Sequence, residues 1–253
     1  DKAPIKNKRI LLRVGYDFTL KKESGKWEVA DDARIRATIP TINYLLEQGC
    51  SIVLMSYLGR PKPGAKDEQF SFDAVGRRLS SLISREVKKL DETVGPEVER
   101  AVNAMAPGEI LLLENTRFNV GETEADPVLA AAMARLGEYL VFDAFAQSMR
   151  VHASTTGILR EHQSTCCAGL LMQKEYSVLG QILANPMEPF VVVLGGAKVS
   201  DKIAVVRNIL DKAAMVLIGG AIAHLFFKAQ GLSVGGSLIE SVFVDEAKGV
   251  RLN

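Results

Sequence analysis

Six short apolar runs do most to limit what this chain can become: RILLRV (9–14), SIVLMS (51–56), EILLLEN (109–115), YLVFDAF (139–145), FVVVLGG (190–196) and MVLIGG (215–220). They are nearly continuous in apolar residues, which is the pattern of strands buried on both faces. Helix-length amphipathic segments lie between them, at 36–49, 71–83, 96–105, 126–137 and 200–213. Ser71 with Asp73, and Pro127 after Asp126, mark helix starts, while Gly49 and Gly137 fall where C-terminal caps belong. Strand–helix alternation on this scale predicts parallel βαβ units and an open, doubly wound sheet of the Rossmann-like α/β class.

One segment breaks the alternation. CCAGLLMQKEYSVLGQIL, Cys166 to Leu183, reads as one long helix that Asn185-Pro186 ends. The expected organisation is an N-terminal domain over 1–169, an interdomain helix over 170–188, and the start of a second parallel α/β domain over 189–253. That last stretch holds two clear strands, few for a domain. The edge beside MVLIGG and the apolar face of AIAHLFFKAQG are then expected to lie exposed, as a partner-binding surface would.

Apolar residues make up 47% of the chain, enough for a core, and a net charge of +1 gives no reason to expect nucleic acid or a membrane surface. No apolar run reaches the ~18 residues of a membrane span, and Asp1 opens no signal peptide. Cys50, Cys166 and Cys167 form no CxxC or Cys/His ligand pattern, which points to a reducing, intracellular setting, cytoplasmic by default or within a larger intracellular assembly. Vicinal Cys166-Cys167 reads either as a redox pair or as two small buried hydrophobes. His152 and His224 stand without metal-ligand spacing, Asp31-Asp32 serve a helix start, and Trp27 in GKWEV reads as hairpin packing.

An anion site must therefore come from local clustering. Arg34, Arg60, Arg117 and Arg150 each follow a strand or turn, in DDARIR, SYLGRPK, ENTRFN and SMRVHAST. In an open α/β sheet, ligands bind beyond the carboxyl ends of the strands, where a guanidinium fork suits phosphate or carboxylate. Surface arginines that happen to lie in loops would look the same. In VVVLGGAKVSDKI, a strand runs into Gly195-Gly196, with Lys198 and Lys202 four residues apart. This reads either as backbone and lysines around a phosphate at a helix start, or as solvated lysines after a turn. It is not a Walker A loop.

The strings SYLGRPK, LLLENTRF, DAFAQSMRVHAST, GGAKVSDKI and IGGAIAHLFFKAQG, in that order, resemble the phosphoglycerate kinase family from about Arg9 to Gly236. The resemblance implies two Rossmann-like domains, one for phosphoglycerate and one for Mg-ATP or ADP, and phosphoryl transfer between 1,3-bisphosphoglycerate and ADP in glycolysis. It implies that Arg34, Arg60, Arg117 and Arg150 grip the substrate, Arg34 also steadying the moving phosphoryl group. Lys198 and Lys202 then meet that group and the nucleotide phosphates, and Gly195, Gly196, Gly219 and Gly220 line the nucleotide site. No metal ligand is assigned.

The departures are local. Where the family reads RVDFNVP this chain reads RVGYDFT, so Gly15 replaces a substrate-binding aspartate and Asp17 an asparagine. Tyr57 and Met149 replace histidines, and Ala146 a glycine. Family sequences also continue past the position of Asn253, through later strands, an acidic residue serving the metal and a glycine-rich helix start. The expectation is a kinase homologue with impaired catalysis, in which retention of Mg-ATP or ADP is doubtful. The alternative is a non-catalytic homologue serving as a structural or interaction subunit, with a protein partner over the incomplete second domain.

Overall fold

A computed structural model describes residues 3–196, 208–210, 212–240 and 244–248. The chain divides into two units, 1–177 and 178–253.

In the first unit, β1 (Arg9–Val14), β4 (Ser51–Met55), β6 (Ile110–Leu112) and β7 (Tyr139–Asp143) form the middle of a six-stranded sheet. Its order is β5-β6-β4-β1-β7-β8, and every pair is parallel. The edge strands are β5 (Lys88–Lys89) and β8 (Cys166–Ala168). A small antiparallel hairpin, β2 (Leu20–Glu23) with β3 (Lys26–Val29), stands apart and carries Trp27.

Period-two alternation divides the apolar runs between two cores. Ile10, Leu12, Ile52, Leu54 and Leu112 face one side, with Ile35, Ile42 and Leu45 of α1 (Ala33–Glu47) and Val75 and Leu79 of α2 (Asp73–Ile83). Leu11, Val53, Met55 and Leu111 face the other. There they meet Val98 and Val102 of α3 (Pro96–Asn103) and Leu129 and Met133 of α4 (Pro127–Ala134). The result is a three-layer α/β/α unit. Connections that step one way along the sheet use the first face, and those that step back use the second, as right-handed crossovers require. Strands β1 and β7 are neighbours whose connections leave to opposite faces, which opens a crevice at their carboxyl ends.

The helix starts carry the expected chemistry in part. Asp126 Oδ1 accepts from Leu129 N at 2.7 Å, and Asp31 Oδ1 accepts from Ala33 N at 2.9 Å. Gly49 takes a left-handed φ of +72° just past α1. Gly137 is required for a different reason: a Cβ there would sit 2.6 Å from Leu11 N and Cβ, so the chain crosses strand β1 where no side chain fits.

Two expectations are corrected. The long helix does not begin at Cys166; α5 spans Leu170–Ala184, and Cys166–Ala168 is the edge strand β8. Pairing with Leu140, Val141 and Phe142 satisfies that backbone better than an extra helical turn, a tertiary effect that local pattern does not report. Cys166 packs against the second core and Cys167 against the first, and burial raises both thiol pKa values, Cys166 to about 11. Both behave as small hydrophobes. The second correction concerns the face of AIAHLFFKAQG. Ile222, Leu225 and Phe226 of the helix Gly220–Ala229 are buried, packed with Ala247 and Val244 from the chain's own 244–248 segment.

That second unit contains β9 (Val191–Leu194) and β10 (Met215–Ile218), paired in parallel. One face of the pair holds Leu194 and Ile218 against the helix, while Val191, Val193, Met215 and Leu217 on the other are exposed. Among the described residues, no helix is long and apolar enough to cross a membrane.

Candidate functional site

Four loops leave the carboxyl edge of the six-stranded sheet, after β1, β4, β6 and β7, and each brings polar groups to that edge. The loop after β4, Tyr57 to Arg60, is held at successive peptide groups. Asn115 Oδ1 accepts from Leu58 N at 3.1 Å, and its Nδ2 donates to Leu58 O at 2.8 Å and Phe70 O at 2.9 Å. Gly59 N donates to Asp17 Oδ1 at 2.9 Å, and Gly59 O accepts from Arg117 Nη1. Gly59 has φ +61°, and a Cβ there would lie 2.4 Å from the Phe70 ring, so glycine is obligatory at this bend. Arg60 follows as an exposed side chain on a fixed stalk.

Arg117 is the middle residue of the short 3₁₀ turn Thr116–Phe118, and its N–H donates to the capping Asn115 Oδ1. Its guanidinium lies 3.8 Å from the centre of the Tyr57 ring. Arg13, fully buried in β1, lies 5.3 Å from the same ring. Arg13 Nε donates to Ser154 O at 2.9 Å and Nη1 to Gln147 Oε1 at 2.6 Å. Burial lowers its pKa to about 10, against the opposing pull of Glu122.

The segment after β7 bends through a π-helical turn, Ala153–Gly157. Buried Glu122 braces it, accepting from Ser154 N at 3.0 Å and from Thr116 Oγ1 at 2.9 Å. His152 Nδ1 lies 3.8 Å from Glu122 Oε1 and finds no hydrogen bond. Burial holds the imidazole pKa below its ordinary value; Glu122 opposes this, and Arg117, Arg13 and Arg150 add to it. Thr155 Oγ1 donates to Arg150 O at 2.5 Å, fixing the backbone from which the exposed Arg150 side chain projects.

Arg34 lies in the first turn of α1 and lines a cavity of about 340 Å³ at the β1/β7 crevice, with Gly15, Ala144, Phe145, Ala146, Thr38 and Glu175. A Cβ on Gly15 would meet nothing closer than 3.8 Å, so neither crowding nor φ demands glycine there. Asp143, at the end of β7, is buried and its carboxyl pKa is raised by that burial, while Thr41 Oγ1 donates to it at 2.6 Å.

The structure thus ties Arg60 and Arg117 to one loop and sets Arg150 just before the braced turn, whose Thr155 holds its carbonyl. Arg34 sits at the β1/β7 crevice. Among the described residues, Arg34, Arg60 and Arg150 have no ion pair and no side-chain hydrogen bond. Three unneutralised guanidiniums on one sheet edge can bind an anion with charged forks.

In the second unit, Gly195-Gly196 follow β9 and Gly219-Gly220 follow β10, and the two turns abut. A Cβ on Gly220 would lie 3.2 Å from Gly196 N and O, and Gly219 N donates to Leu194 O at 2.8 Å. Gly196 and Gly220 have φ of +134° and +63°. Lys198 and Lys202 lie outside the described residues.

Arg13, Asn115, Glu122 and Gln147 were not singled out by the sequence. A charged residue inside an apolar strand was the one signal for Arg13; the others gain meaning from partners far along the chain.

Comparison with known proteins agrees with this geometry. The family model described as Phosphoglycerate kinase matches residues 1–251. Phosphoglycerate kinase of Moorella thermoacetica is 50% identical over 236 residues, covering 93% of this chain and 58% of the relative. That of Chloroflexus aurantiacus is 48% identical over 235 residues, covering 92% of this chain and 57% of the relative. Two solved structures superpose on the chain. The phosphoglycerate kinase from Coxiella burnetii has a TM-score of 0.80 at 38% identity, covering 98% of this chain and 61% of its own. The enzyme from Pyrococcus horikoshii OT3 has a TM-score of 0.81 at 29% identity, covering 97% and 62%. The chain therefore spans 57–58% of the length of the curated relatives it matches. On these grounds it belongs to the phosphoglycerate kinase family.

Proposed function

We propose that residues 1–169 bind a small phosphorylated acid resembling 3-phosphoglycerate through Arg34, Arg60, Arg117 and Arg150. Residues 189–253 contribute nucleotide-side backbone at Gly195, Gly196, Gly219 and Gly220, with Lys198 and Lys202, and 170–188 link the two. The reaction served is phosphoryl transfer between 1,3-bisphosphoglycerate and ADP, in an intracellular and most simply cytoplasmic setting. The observation that carries this reading is the set of unneutralised arginines beyond the carboxyl edge of the sheet.

Transfer of a phosphoryl group depends on positioning and charge neutralisation more than on covalent help from the protein. Arg60, Arg117 and Arg150 would orient the acid, and Arg34 would face the charge that develops on the transferred oxygens. The abutting glycine turns fit a phosphate-bearing nucleotide, because side-chain-free backbone permits close approach. Bound there, Mg-ATP or ADP would donate or accept the phosphoryl group. No group of three acidic, histidine or cysteine side chains able to hold a metal occurs among the described residues.

Impaired catalysis is part of the proposal. Gly15 offers no carboxylate to substrate hydroxyls, and one oxygen of Asp17 is already engaged by Gly59 N. That same observation favours the second reading, a non-catalytic homologue whose exposed β9–β10 face meets a protein partner.

Titration calorimetry with 3-phosphoglycerate and Mg-ATP, on wild type and Arg34→Ala/Arg150→Ala, tests the binding. The expected result is salt-sensitive phosphoglycerate binding that the double variant loses, and weaker Mg-ATP binding. Tight Mg-ATP binding without phosphoglycerate binding overturns it. A coupled ATP-formation assay separates slow turnover from the non-catalytic reading.

A further inference from the structure

Tyr57 has a site role that its chemistry alone would not suggest. The ring is 2% exposed and lies at the carboxyl end of β4, where three basic side chains converge on it. The Arg117 guanidinium is 3.8 Å from the ring centre, that of Arg13 is 5.3 Å, and the His152 ring is 5.6 Å away and tilted. Among the described residues, no carboxylate comes within ion-pair distance of either arginine. For Arg13 the π-face adds to the more distant pull of Glu122, and over Arg117 it supplies an attraction strongest where water is excluded.

The contacts also define a geometry. Arg117 Nη1 is tied to Gly59 O, Nε is buried without a partner, and among the described residues Nη2 makes no hydrogen bond. A guanidinium pinned at one nitrogen could still swing about that bond. Contact of its flat face with a buried ring removes that freedom and holds the unused N–H groups in one plane. An aliphatic side chain of similar bulk would fill the space without holding the plane.

We infer that Tyr57 is the positioning residue of Arg117, acting through ring–guanidinium stacking to pre-set the fork that receives the acid's anionic group. The inference deepens the substrate reading given above and rests on it for the identity of the anion. It predicts dependence on the ring and none on the hydroxyl.

The test compares Tyr57→Phe, Tyr57→Leu and Tyr57→Met, the last in case leucine disturbs folding. Titration calorimetry with 3-phosphoglycerate should give Tyr57→Phe an affinity within about twofold of wild type, and the aliphatic variants a loss of roughly tenfold. In an Arg117→Ala background the same aliphatic change should weaken binding by less than about twofold, since its effect runs through Arg117. Full additivity of the two changes, or a loss in Tyr57→Phe equal to that in Tyr57→Leu, overturns the inference. A second readout needs no ligand. The Arg117 Nε–H resonance, displaced by the ring current, should stay in place in Tyr57→Phe and move in the aliphatic variants. An unmoved resonance overturns the stacking even if phosphoglycerate binds, whereas absent binding with the predicted shifts overturns the substrate reading alone.

Discussion

Replacing Asn115 by alanine should be among the costliest single changes in the N-terminal unit, although it deletes only one polar amide. Asn115 is fully buried, and its side chain serves four backbone groups: Leu58 N, Leu58 O, Phe70 O and Arg117 N. Among the described residues, none of the four has another hydrogen-bond partner. At about 1 kcal/mol net for each hydrogen bond lost, the variant is destabilised by roughly 4 kcal/mol, with the small cavity adding to that figure and entry of water reducing it. Domains of this size have about 5–15 kcal/mol in total, so the variant folds but is marginal. Asn115→Asp should cost a comparable amount, because it keeps the acceptor but leaves Leu58 O and Phe70 O facing a carboxylate. Urea unfolding followed by circular dichroism measures this. With a slope of about 2 kcal/mol/M, the midpoint should fall by roughly 2 M with the slope unchanged. A shift below about 0.5 M would refute the view that Asn115 clamps the Leu58–Arg60 and Arg117 backbones.

Two further outcomes follow from the same structure. Gly137→Ala places a Cβ 2.6 Å from the Leu11 backbone in the central strand and should destabilise by about 2 kcal/mol in thermal or urea unfolding, whereas a neutral result would mean the crossing is looser than it looks. His152 has a folded pKa held below its ordinary 6.5 by burial, so the unfolded chain takes up a proton first as pH falls. Its contribution is intact above pH 6.5 and is lost as pH drops through the lower folded value. His152→Gln should therefore flatten the decline in stability between about pH 7 and pH 5, and an unchanged slope would show that the imidazole is not the group responsible.

The apolar runs and the helices between them were legible in the sequence because burial on both faces leaves a pattern that any one strand displays by itself. All four central strands of the N-terminal sheet follow it. The edge strands did not. Lys88–Lys89 is a strand because its backbone pairs with Leu111 and Leu112 of β6, and Lys89 also reaches Glu114 at 2.8 Å. Burial by itself would lower the pKa of that ammonium, but Glu114, Asp91 and Asp73 raise it well above its ordinary value. Cys166–Ala168 is a strand because β7 offers it a ladder.

The arginines of the candidate site could be named from their places after strands, since chain order fixes which loops emerge at the carboxyl edge of a parallel sheet. Their orientation could not be read that way. That Arg117 stacks on Tyr57, that Asn115 holds the loop before Arg60, and that Glu122 braces the turn after Arg150 all depend on residues between 32 and 60 positions apart meeting in space. Composition and periodicity report what each segment buries. Hydrogen bonds between loops are satisfied by whichever groups the packed layers bring together, and for this protein the tertiary structure alone made that choice.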